Sequence, residues 1–123
     1  MIRGVVNARL EAVVRLRVRG PGGAEADVDA VVDTGFTSSL TLPPAVVAAL
    51  GLARQSGGSA LLADGLVRPF DIYAAEVDWG GTWRPVLVWV VGNEALLGMG
   101  LLAGHQFRVD VVPGGAVEIT PIP

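Results

Sequence analysis

A chain of 123 residues is long enough for one core and too short for two, so residues 1–123 read as a single domain. Apolar residues make up 51% of it and charged ones 17%, which excludes a disordered chain and, in so small a domain, points to apolar surface buried against a second subunit. The net charge of −3, spread without blocks, offers no basic face for nucleic acid, and the absence of cysteine excludes disulfides and thiolate metal sites.

The opening stretch "MIRGVVNARLEAVV" is interrupted by Arg3, Arg9 and Glu11, so it does not read as a signal peptide. In "ARLEAVVRLRVRG" the residues Leu10, Ala12, Val14, Leu16 and Val18 alternate with Glu11, Arg15, Arg17 and Arg19, the period of a half-buried strand. "GPGG" at 20–23 is a turn, and "EADVDAVVD" alternates back, which predicts a hairpin. "SLTLP" predicts a short strand. "PPAVVAALGL" carries Pro at a helix start, an apolar body and Gly51 as its stop, so a short helix is expected.

Further on, "GGSALLADGLVRPFDIYAAEVDW" reads as a long hairpin turning at Asp64-Gly65, "WGGTW" as a second turn and "RPVLVWVV" as a continuously apolar strand. "NEALLGMGLLAGHQ" predicts a loop leading into one or two helical turns, and "FRVDVVPGGAVEI" a closing hairpin. Asn93, Glu94 and four glycines interrupt the stretch from Val86 to Gly104, so it is no membrane helix, and a cytoplasmic location is expected. The sum is seven or eight strands with two short helices: an all-β domain.

Chemistry concentrates at residues 31–43, "VVDTGFTSSLTLP", where Asp33 leaves an apolar strand at a tight turn. A carboxylate drawn out of water needs a partner, and no other acid in the chain sits in a comparable turn. A weak internal echo accompanies it: "DAVVDTG" and "EALLGMG" each place two apolar residues before a turn of small residues, with a helical segment after.

"VVDTGFTSSLTLP" followed about 60 residues later by "ALLGMGLLAG" resembles the single-domain, retropepsin-like aspartic proteases of clan AA, most closely their small prokaryotic members. The resemblance runs from the Leu10 strand to the final hairpin and implies a small closed barrel with one or two short helices. It implies a homodimer in which Asp33 is the catalytic group and its partner is Asp33 of the second subunit. Peptide bonds of a peptide or protein substrate would be hydrolysed by a water held between the two carboxylates, with no metal or organic cofactor. Thr34 and Gly35 would support the catalytic loop. Phe36, where retroviral and pepsin-like members prefer Ala or Ser, would border the substrate, and Ala63, Asp64 and Gly65 would form the flap tip. The terminal segments "MIRGVV" and "AVEITPIP" would correspond to strands interleaved across the dimer interface.

Retroviral members often brace the site with an acid and an arginine where this chain has Thr37 and Met99, so an apolar or hydroxyl-mediated brace is expected instead. His105, the only histidine, reads as structural or solvent-facing; Asp27, Asp29, Asp71, Asp78 and Asp110 as surface groups; and Trp79, Trp83 and Trp89 as core or interface. The expectation is an aspartic endopeptidase. The alternative is a catalytically silent module that keeps the fold for dimerisation or peptide binding. Neither nucleic acid nor membrane is expected as a partner.

Overall fold

The computed structural model describes residues 1–61 and 63–123. Ten strands and two short helices follow along the chain. The fold is all-β, as the alternation predicts, with more strands than the seven or eight expected. Strands β1 (Ile2–Val6), β2 (Ala12–Arg19) and β3 (Glu25–Val32) lead to the Asp33 turn, and β4 (Leu40–Thr41) and helix α1 (Pro44–Leu50) follow it. Strands β5 (Ala53–Leu61), β6 (Val67–Trp79) and β7 (Thr82–Val90) form a meander. After β8 (Leu96–Leu97) and helix α2 (Met99–Leu102), strands β9 (His105–Val109) and β10 (Ala116–Pro121) close the chain. Strand β4 is the short strand expected from "SLTLP", whereas β8 falls where a loop was expected, its two residues too few for any periodicity to reveal.

All ten strands belong to one sheet, in the order β5-β6-β7-β4-β8-β3-β2-β1-β10-β9. A further antiparallel pairing, Val18 with Val77 and Arg19 with Glu76, joins β2 to β6 and closes six strands into a ring. Alternation along β2 shows why. Val14, Leu16 and Val18 are buried inside, while Arg15 and Arg17 face outward and pair with Asp29 at 2.9 Å and with Glu25 and Asp27 at 3.0 Å each. Leu40, Leu42, Leu97 and Leu101 complete the interior beneath the Asp33 turn. Burying side chains of this size contributes about 1.5–3 kcal/mol each, so the short strands are held by their core residues more than by their few ladder bonds.

The internal echo in the sequence is a structural one. Val31 and Val32 pair in parallel with Leu96 and Leu97; the first strand then enters the Asp33 turn, and the second passes through Gly98 directly into α2. At the other end of the sheet, β1 and β10 pair with each other inside one chain, Ile2 opposite Ile119 through Val5 opposite Ala116. Strand β9 forms the outer edge there. Among the described residues, no helix is long and apolar enough to cross a membrane.

Candidate active site

Asp33 stands directly after β3, where the ladder ends. Its backbone N–H donates to the Leu97 carbonyl at 2.9 Å, so β8 fixes where the turn begins. The Gly35 N–H donates to Asp33 Oδ1 at 2.9 Å, and the Phe36 N–H donates to the Asp33 carbonyl at 3.1 Å. This local turn, an Asp side chain accepting from the amide two residues on, holds the carboxylate in one orientation. Asp33 is half-buried, and among the described residues it takes part in no ion pair. Thr34 and Gly35 are exposed at the apex, and Phe36 is half-buried.

Where an apolar or hydroxyl-mediated brace was expected in place of an ion pair, backbone makes most of the contact. Thr37 and Met99 are both exposed. Instead the Met99 N–H donates to the Phe36 carbonyl at 2.8 Å, the Gly98 N–H to Ser39 at 2.9 Å and the Gly100 N–H to Ser38 at 3.0 Å. Such close contact between two loops requires glycine at 98, where a Cβ would collide with the Ser38 carbonyl and come within 2.6 Å of Phe36 Cδ2. Two residues that no local pattern singled out add to the brace. Thr41, the one buried polar residue among those described, donates its hydroxyl to the Glu94 carbonyl and accepts from the Leu96 N–H, both at 2.8 Å. Arg84 reaches from β7 toward the carbonyls of Gly100 and Leu101 at 3.4 and 3.5 Å.

A cavity of about 360 Å³ opens beside the carboxylate, lined by Asp33, Gly35, Phe36, Thr41, Leu61, Trp89, Val91 and Leu96. Leu61 is the last residue of β5, so the β5–β6 hairpin reaches the cavity beside the Asp33 turn. Ala63, Asp64 and Gly65 form the turn beyond it: Asp64 Oδ1 accepts from the Leu66 N–H at 3.0 Å, and Gly65 has φ +82°. The structure therefore brings Asp33, Gly35 and Phe36 together around one cavity. Thr34 and residues 63–65 stand outside its lining. Trp89, read from the sequence as core or interface, forms part of the cavity wall. Its ring meets Phe36 edge-on at 5.3 Å and stacks on Phe70 at 4.5 Å. A Trp in a continuously apolar strand gives no local signal of which face it serves.

The other singled-out residues fall into structural roles. His105 is half-buried; its Nδ1 lies 2.9 Å from the Ala103 carbonyl and its Nε2 accepts from the Trp79 indole N–H at 3.2 Å. Asp27, Asp29, Asp71 and Asp110 pair with arginines at the surface, and Asp78 accepts from the Gly81 N–H in the β6–β7 turn.

No curated protein matches this chain, and no solved structure does. A family model described as aspartyl protease matches residues 14–115, from the first fully buried valine of β2 to the loop before β10. With the Asp33-Thr34-Gly35 turn, its loop-to-loop brace and the overhanging hairpin all inside that span, the chain belongs to the aspartyl protease family.

Proposed function

We propose that the protein is an aspartic endopeptidase that works as a homodimer, with one Asp33 from each subunit. The observation that carries this reading is Asp33 itself: a half-buried carboxylate, oriented by the Gly35 amide, without a cation partner among the described residues and open to an apolar cavity under a hairpin. One carboxylate is half of a hydrolytic device. Two held side by side cannot both ionise, and sharing one proton is the established behaviour of paired catalytic aspartates.

In the dimer, the ionised Asp33 takes a proton from a water molecule, whose oxygen attacks the scissile carbonyl carbon. The protonated Asp33 donates to the carbonyl oxygen as negative charge develops there. Collapse of the tetrahedral intermediate breaks the C–N bond, and the leaving nitrogen takes up the proton. The β5–β6 hairpin closes over the extended peptide and excludes water. Apolar residues exposed beside the site, Met99 at 45%, Leu61 at 73% and Val67 at 66%, suit cover by substrate and partner subunit.

The test compares wild type with Asp33→Asn on a peptide library from acidic to neutral pH, together with the mass in solution. Cleavage by a dimer that Asp33→Asn abolishes is the expected result. Cleavage by both proteins, or a strict monomer that cleaves, overturns the mechanism. Peptide binding without cleavage assigns the chain to the silent, peptide-binding class.

A further inference from the structure

Three aromatic rings form a continuous row from the hairpin to the catalytic turn, and each end of the row rests on a glycine. At the hairpin end, Phe70 of β6 lies over Gly58 of β5, where a Cβ would come within 2.7 Å of Phe70 Cζ. Phe70 stacks on Trp89 at 4.5 Å with 28° between the planes, and Trp89 meets Phe36 at 5.3 Å and 71°. At the other end, Phe36 Cδ2 lies against Gly98. Phe70 is buried yet stands apart from the main core cluster, so this row is a separate packing unit between hairpin and turn. Aromatic pairs at these separations are favourable beyond the area they bury.

We propose that Trp89 is the residue through which the hairpin positions the catalytic turn, and that its ring sets the size of the apolar substrate side chain accepted beside Asp33. The inference rests on the peptide-cleft reading of the site. Of the polar groups lining the cavity, the Thr41 hydroxyl is already engaged on both sides, by Glu94 and Leu96, which leaves the Asp33 carboxylate facing the space. A pocket so lined orients a peptide by filling with an apolar side chain while its carboxylate meets the scissile bond. Trp89 is the largest group in that lining, and it cannot turn away without breaking both ring contacts. Closure of the hairpin on a peptide pushes through Phe70 onto Trp89 and from there onto Phe36, beside the catalytic turn.

The test has a kinetic and a binding arm. In the kinetic arm, Trp89→Ala raises the kcat/KM ratio for substrates with Phe over those with Val at the residue bordering the scissile bond by about tenfold or more, the discrimination typical of a resized apolar pocket. Trp89→Phe keeps a ring in place and restores most of the wild-type preference. A uniform fall for every substrate, with the ratio unchanged, marks a merely structural residue and overturns the inference. In the binding arm, the Trp89 indole N–H signal, assigned by its loss in Trp89→Phe, is followed by NMR in the Asp33→Asn protein as library peptides are added. A shift with peptides bearing an apolar residue supports the inference even where wild type cleaves nothing and the endopeptidase reading fails. No response of that signal to any peptide overturns it even where wild type cleaves and the endopeptidase reading stands.

Discussion

Gly98 lies against Phe36: a methyl group on its Cα would stand 2.6 Å from Cδ2 of the ring and 2.8 Å from the Phe36 carbonyl oxygen, besides colliding with Ser38. Backbone cannot yield as a flexible side chain can, so Gly98→Ala is expected to cost about 3 kcal/mol, at the upper end of ordinary overpacking. Gly22→Ala is the matched control, because a Cβ there meets nothing within 4 Å. Urea denaturation of the two variants checks the contrast, and equal midpoints would show that the loops are not locked together.

Thr41 makes a second prediction about the same brace. Its hydroxyl satisfies the Leu96 N–H and the Glu94 carbonyl from inside the core. Thr41→Val keeps the shape and removes both bonds, leaving two backbone groups short of a partner, and should cost about 2 kcal/mol. Thr41→Ser keeps the hydroxyl and should recover most of that loss in the same denaturation experiment. A valine variant as stable as wild type would mean that water or another group takes over both contacts.

These two residues mark where the sequence stopped being legible. Alternation along β2 and β3, the Pro44 start and Gly51 stop of α1, and the Asp64-Gly65 turn are local signals, and the structure realises each of them. The Asp33 turn was equally legible, because an acid between valines and a Thr-Gly pair is a local contrast. What was hidden depends on partners far along the chain. Leu96 and Leu97 become a strand only because Thr41 and Leu40 lie opposite them, more than fifty residues away. Trp89 becomes a cavity wall only because Phe70 and Phe36 hold it from two sides. The terminal strands show the same limit: an apolar terminal strand says that it will pair, but only the fold shows that β1 lies between β10 and β2.

Gly58→Ala probes the ring row from outside the cavity. The added methyl would press on Phe70 Cζ from the hairpin side, and Phe70 stacks directly on Trp89. The Trp89 indole N–H resonance should therefore move although residue 58 does not line the cavity beside Asp33. Thermal stability should fall by about 1–3 kcal/mol, because the ring has to leave its preferred place. An unmoved Trp89 resonance in a destabilised protein would show that the row does not transmit the displacement.

On the outer face of the sheet, the Arg15 guanidinium hydrogen-bonds Asp29 at 2.9 Å and holds its carboxyl below the usual range for aspartate. A depressed carboxylate pKa stabilises the folded state above the unfolded pKa, and that contribution is lost as pH falls through the folded value. Arg15→Gln should thus raise the Asp29 titration midpoint toward about 3.9, the ordinary value for aspartate, as followed by carboxyl NMR. Because both groups are largely exposed, the accompanying change in acid stability should be small and should shrink further in salt. A midpoint that stays depressed in the variant would assign the shift to something other than Arg15.

If the working site is built from two copies of Asp33, activity must depend on how subunits are mixed. Wild-type and Asp33→Asn chains, unfolded together in equal amounts and refolded, should pair at random into closed two-fold dimers, of which about a quarter carry two aspartates. Asn keeps an oxygen to accept from the Gly35 N–H, so the variant subunit should fold and compete for partners. An Asn cannot serve as the ionised base, so mixed dimers should be inactive and activity should fall to about a quarter of that of the same total amount of wild type. A fall to one half would mean that each chain works alone with its own carboxylate. The two outcomes differ twofold in a single rate measurement, and sedimentation of the same sample reports whether the chains had paired.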